Sequence, residues 1–180
     1  MENKIMKEIF NRRSIRKFED RPVEQEKIDK LLRAAMQAPS AANQQPWEFI
    51  VVENKDNLKT LSLTTPYSKP VADSAVTLVL LGNSNDFKVP TGWQQDMGAA
   101  AQNILLEATH LELGAVWLGV ATADVAIDYI KNLYDLPENI KPFAMIAIGY
   151  PDGQKNEFVD RYIAERIHLE KWTKGETYND

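Results

Sequence analysis

Between residues 94 and 113 the apolar side chains Met97, Ala100, Ala101, Ile104, Leu105, Ala108 and Leu111 recur every three or four positions. That period closes on one face of an α-helix and on no face of a strand. The stripe continues for about five turns, so the fold must supply a layer long enough to cover it. Its early run Gly98-Ala99-Ala100-Ala101 carries little bulk and would let another helix approach closely. Core packing within one subunit accounts for such a face.

The rest of the chain predicts the partner layer. Residues 47–52 and 75–81 are compact apolar runs with β-branched members, better suited to buried strands than to helices. Residues 115–120 and 143–148 predict two more. Helices are expected over 3–11, 23–37, 55–63 and 125–134; the second opens after Pro22, carries Ile28, Leu31, Leu32, Ala35 and Met36 at helical spacing, and ends at Pro39. Gly114 reads as the stop signal of the long helix. Residues 151–161 form a polar excursion, and 161–172 read as a terminal helix or an arm.

At 180 residues, 44% of them apolar, residues 1–180 fit a single domain with a sizeable core. The net charge of -5 argues against nucleic acid or an anionic membrane as a partner, since both need an extended positive patch. No cysteine is present, so disulfides, thiolate nucleophiles and sulfur-ligated metals are excluded, and redox work would need a bound cofactor. No apolar run approaches the roughly 20 residues that span a bilayer, and the N-terminus lacks the apolar core of a signal peptide. The expected location is cytoplasmic.

Against that acidic background, two local runs stand out. Arg12-Arg13-Ser14-Ile15-Arg16 concentrates three guanidinium groups and a hydroxyl, suitable for holding a phosphate by charge-assisted hydrogen bonds. The same cations could simply offset the negative end of a helix dipole. Pro39-Ser40-Ala41-Ala42-Asn43-Gln44-Gln45 is a polar loop between apolar elements, and taken alone it could be a connection whose Ser40 and Asn43 satisfy nearby backbone groups. His110 reads as a helix-end or packing residue rather than a base. Neither a dinucleotide-binding glycine fingerprint nor a P-loop is visible.

In this order and at this separation, the two runs resemble the nitroreductase family of FMN-dependent oxidoreductases, and the likeness extends from Arg12 to Trp172. The resemblance implies an α+β fold with a mostly antiparallel central sheet flanked by helices, in an intertwined homodimer with the long helix at its interface. It implies non-covalent FMN, reduced by NAD(P)H. Arg12, Ser14 and Arg16 match positions that contact the flavin phosphate, ribityl chain and pyrimidine edge, with Arg13 contributing partly through its backbone. A cation at Arg16 would stabilise negative charge on the reduced ring. Pro39, Ser40, Ala41 and Asn43 match a loop that reaches the flavin of the other subunit, which would make each active site composite. In the segment 113–119 a backbone N–H at Leu118 or Gly119 matches one directed at flavin N5, and Arg161 matches a second phosphate-binding arginine.

The chain departs from the family pattern in two places. A lysine commonly precedes the C-terminal arginine by two positions; Val159 stands there, with Lys155 as the candidate substitute. Lys69 can match a pyrimidine-edge lysine, but the accompanying asparagine falls near Pro66. The implied reaction is ping-pong electron transfer from NAD(P)H to nitroaromatic, quinone or activated-alkene acceptors, with no catalytic side chain expected. Alternatives on the same fold are reductive dehalogenation, ring oxidation, or a low-turnover flavin store or redox sensor. The short 83–93 segment is the candidate lid for such a specialised relative, and Trp93 at its end has two readings: a cap on the flavin pocket or buried packing.

Overall fold

The structure, a computed structural model, describes residues 7–172. Four strands, β1 (Trp47–Val52), β2 (Val76–Asn83), β3 (Gly114–Gly119) and β4 (Ile140–Gly149), form one sheet in the order β1-β2-β4-β3 with every neighbouring pair antiparallel. The two central strands are buried on both faces, which is why they read as continuous apolar runs rather than alternating ones. Val76, Leu78 and Leu80 of β2 point to one face, Val79 and Leu81 to the other.

Helices α2 (Gln25–Met36) and α5 (Trp93–His110) cover the first face. Helices α3 (Lys55–Leu61), α4 (Pro70–Asp73) and α6 (Asp124–Leu133) lie on the second, with Val71 and Ile130 among its fully buried side chains. The short α1 (Lys7–Asn11) packs near α5. The α5 stripe is buried as its spacing predicts; Leu111, just beyond the helix, is half-buried. Among the described residues no helix is long and apolar enough to cross a membrane.

The end of α5 differs from the sequence reading. The left-handed residue is Glu112, at φ 62°, and the last carbonyls are satisfied by Glu112 N–H to Thr109 O (3.2 Å) and Leu113 N–H to Ala108 O (2.8 Å). Glu112→Gly is therefore expected to raise stability by about 0.5–1 kcal/mol, the relieved Cβ clash outweighing the freedom added to the unfolded chain. The urea midpoint measures this, and a lowered midpoint would refute it.

Gly114 has another task. A Cβ there would lie 2.5 Å from Ile15 Cγ2, so glycine lets residues 12–19 lie directly against β3. This strap is fixed by Ile15 N–H to Ala115 O (3.0 Å), Asp152 N–H to Lys17 O (3.0 Å) and Glu19 N–H to Tyr150 O (2.9 Å), while Ile15 and Phe18 are buried beneath it.

A polar clasp ties the strap's far end to α2. The Tyr150 hydroxyl donates to Glu24 Oε2 (2.6 Å), Lys27 Nζ donates to that hydroxyl (2.9 Å) and to Leu111 O (3.2 Å), and the Arg21 guanidinium sits 3.6 Å over the Tyr150 ring. The hydrogen bond from Tyr150, above all, holds Glu24 down at about 2. A depressed carboxylate stabilises the fold above its ordinary value of 4.5, and that contribution disappears as pH falls through about 2. Tyr150→Phe is expected to flatten the acid limb of stability between those values; an unchanged limb in urea titrations would assign it elsewhere.

Candidate functional site

The residues after α1 turn outward along β3 and carry their cations with them. The Arg13 backbone N–H donates to Asn156 Oδ1 (3.0 Å), and Asn156 Nδ2 donates to Leu113 O (3.0 Å), so one amide side chain fixes the strap to the strand. Gln154 Oε1 accepts from the N–H groups of both Arg16 (2.6 Å) and Lys17 (3.0 Å). Among the described residues Arg16 Nη1 donates to Ser14 O, two positions back, at 3.2 Å, and the side chain is exposed.

Arg13 is the least satisfied group of the cluster. One nitrogen, Nη1, donates to Arg12 O at 2.5 Å, while Nε and Nη2 are buried with no hydrogen-bond partner among the described residues. Buried donors of this kind normally have an acceptor. Arg12 lies beside it, pushed below the ordinary arginine range by burial first and then by the charges of Arg161 and Arg13. Three cations crowd together, and among the described residues none of them forms a salt bridge. A phosphate dianion fits both defects, since it supplies acceptors to the orphaned nitrogens and opposite charge to the cluster.

Arg161 arrives by a return of the chain. Phe158 packs on Phe10 of α1 with ring centroids 6.1 Å apart, and a hollow of about 360 Å³ opens between α1 and residues 158–162, lined by Arg12, Arg13 and Arg161. A second hollow, of about 420 Å³, lies on the other side of Arg13 and includes Ser14, Gln154 and Lys155 in its walls. Lys155 is thus beside the cluster, while Val159 lines the first hollow with an exposed side chain. Residues 161–172 are an arm with one short turn at Ala164–Arg166.

Strand alternation distinguishes Leu118 from Gly119. Because Ala115 O accepts from Ile15 on the outer edge of β3, the backbone groups of residues 115, 117 and 119 face outward, and those of 116 and 118 face β4. Gly119 therefore turns its N–H to the open edge. The Leu118 side chain is buried in the core on the α6 face.

The loop at 39–45 lies elsewhere. Ala41 N–H donates to Asp96 Oδ1 in the first turn of α5 (2.9 Å), and the loop then feeds β1, the edge strand opposite β3. The strap belongs to the other end of α5, where His110 Nδ1 meets Glu8 Oε1 of α1 at 3.0 Å. That hydrogen bond raises His110, lowers Glu8, and confirms His110 as a helix-end residue. From residue 96 to 110 the helix rises about 20 Å, so one chain holds its two motifs well apart. Pro39 and Asn43 are exposed, and Ser40 Oγ accepts from Gln45 N–H (3.0 Å).

Trp93 resolves toward packing. It stacks on Phe87 (5.4 Å) and meets Phe143 edge-on (6.0 Å), closely enough that a Cβ on Gly82 would lie 2.7 Å from its ring. Lys69 is exposed at the start of α4. The supporting residues Gln154, Asn156, Gln44 and Asp96 were not singled out from the sequence. Asp96 did leave a signal, since it stands four and eight positions before Ala100 and Ile104 and so puts a carboxylate on the apolar face.

A profile of the Nitroreductase family matches residues 9–80 and 66–150. A Methanothermobacter thermautotrophicus protein, provisionally named NADH dehydrogenase/NAD(P)H nitroreductase, is 44% identical over 93% of this chain and 87% of its own length. A Clostridium acetobutylicum crystal structure provisionally named NADH oxidase superimposes with a TM-score of 0.91 at 51% identity, covering 92% of this chain and 99% of that one. A Desulfovibrio desulfuricans structure, provisionally named nitroreductase and in complex with FMN, gives a TM-score of 0.80 at 32% identity, covering 96% and 99%. Sheet order, flanking helices and these likenesses agree, and the chain belongs to the nitroreductase family.

Proposed function

We propose that this chain is an FMN-dependent oxidoreductase that draws electrons from NAD(P)H and passes them to small acceptors, nitroaromatics, quinones or activated alkenes, in a ping-pong cycle. The observation that carries this reading is Arg13, whose buried Nε and Nη2 lack acceptors beside the mutually repelling Arg12 and Arg161. Bound FMN would supply the redox chemistry itself, taking hydride from the reductant and returning electrons to the acceptor.

The chain's own residues hold and orient. Arg12, Arg13 and Arg161 would grip the phosphate, with Lys155 in the place left by Val159. Ser14, exposed next to them, would take the ribityl chain, and Arg16 would place positive charge at the pyrimidine edge. Gly119 would offer its outward N–H to the ring, where the absent side chain permits close approach. Pro39, Ser40, Ala41 and Asn43 would come from a second copy of the chain, because they are tied to the Asp96 end of α5 and the strap lies toward its His110 end, a helix rise of about 20 Å away. Each active site is then composite, two per homodimer.

An anaerobic absorption spectrum of the purified protein tests the reading. A flavin band that bleaches with NADPH or NADH and returns with a quinone is expected. Bound flavin that neither nucleotide bleaches would replace the oxidoreductase by a flavin store or sensor, and a protein that takes up no FMN would remove the assignment of the arginine cluster.

A further inference from the structure

We infer that Asp96 and Gln44 are positioning residues that hold the 39–45 loop in a strained conformation and tie it to the segment before α5. The inference rests on the reading that this loop lines a flavin site. Three non-glycine residues in the loop sit in the left-handed region, Ala42 at φ 50°, Asn43 at 51° and Gln45 at 47°. Alanine is the most demanding of these, because its side chain has no polar atom to bond locally. Something outside the loop must hold it there.

The restraint is a buried polar relay. Asp96 and Gln44 are 4% and 5% exposed. Asp96 accepts from Ala41 N–H through Oδ1 and from Gln44 Nε2 through Oδ2. Gln44 Oε1 in turn accepts from Val89 N–H at 2.8 Å, with Nε2 also 3.4 Å from Val89 O. A backbone N–H can only donate, so the Gln44 oxygen must face Val89 and its amide nitrogen must face Asp96. The direction of every bond is thereby fixed. Lys88 Nζ closes the outer side on Ala42 O (3.3 Å).

That fixed polarity yields a test by exchange. In Asp96→Asn the new amide can accept from Ala41 or from Gln44 while its own NH2 meets the other donor, and flipping Gln44 only moves the conflict to Val89. Every arrangement leaves two buried donors facing. In Asp96→Asn/Gln44→Glu the carboxylate introduced at position 44 accepts both from the amide introduced at position 96 and from Val89 N–H, and the long 3.4 Å contact to Val89 O becomes an approach of two acceptors, the one contact made worse. FMN affinity and midpoint temperature are measured for full-length wild type, D96N, D96N/Q44E and Ile28→Val, a trim of the α2 core that lowers stability remote from the loop.

D96N should weaken FMN binding about tenfold or more, the cost of a buried unpaired donor. The double variant should recover most of that loss, and Ile28→Val should bind FMN as wild type does despite a lower midpoint. A folded D96N that binds normally would overturn the inference, as would a double variant no better than D96N or, where D96N does not fold, a folded double variant that binds weakly. Amide exchange at Ala41 and Val89 gives a readout without FMN: faster in D96N and restored in the double variant, with unaltered exchange counting against the relay. Wild type that fails to bind FMN would instead tell against the flavin reading.

Discussion

Arg13→Met is expected to stabilise the flavin-free protein and to weaken FMN binding about a hundredfold or more, two effects of opposite sign from one substitution. The stabilising half follows from the free state, in which Nε and Nη2 are buried without acceptors. An unpaired buried donor costs about 1–3 kcal/mol, and more when charged. Methionine keeps the length and flexibility of the aliphatic stem and removes the donors, giving up only the bond from Nη1 to Arg12 O. It also removes one of the two charges that depress Arg12. A net gain of about 1–2 kcal/mol is expected on those grounds, read as a higher urea midpoint without flavin. The weakening half follows from the bound state, where two charge-assisted bonds to phosphate, each about 1.5–3 kcal/mol, would be lost. Arg161 is exposed, so Arg161→Met should weaken FMN without stabilising the free protein. An Arg13→Met protein that is less stable and binds FMN normally would make this arginine a structural residue.

The strands were legible because a central strand buried on both faces leaves a dense apolar run, as residues 76–82 do in β2, broken only by the buried Thr77. The start of β4 was hidden. Lys141 and Pro142 look like turn residues, yet Pro142 is paired with Leu81 where the β2–β4 register shifts, a place where a missing N–H is tolerated. Helix α4, four residues that begin with Pro70, is too short to show a period. Within the site, residue types announced the arginine cluster, but its supports did not announce themselves. Asn156 and Gln154 lie about 140 positions from the N–H groups of Arg13 and Arg16 that they hold, beyond any spacing argument. Gly114 was visible as a glycine and misread as a stop, because its reason, the side chain of Ile15, comes from the strap at the other end of the chain. Nor could spacing reveal that the two motifs of one chain lie at opposite ends of α5.

That separation has the second large consequence. Coexpression of an Arg13→Met chain with an Asn43→Asp chain is expected to restore tight FMN sites that neither variant forms alone. Asn43→Asp keeps a residue tolerant of the left-handed backbone at φ 51° while replacing an amide donor by a carboxylate. In a composite homodimer each site takes its cluster from one subunit and its loop from the other. A mixed dimer then pairs the intact cluster of the Asn43→Asp chain with the intact loop of the Arg13→Met chain, and its second site carries both defects. Random assortment gives about half mixed dimers, so about one quarter of all sites should be intact. Selecting mixed dimers by two different tags should raise that to one site per dimer, measured as FMN bound at a concentration too low to fill either parent. Sites built within one subunit would show no recovery, since every chain would still carry its own defect. The geometry favours recovery: the cluster and the loop are held to opposite ends of α5, by Glu8 on His110 and by Ala41 on Asp96, so no small motion of one chain can bring them to the same flavin.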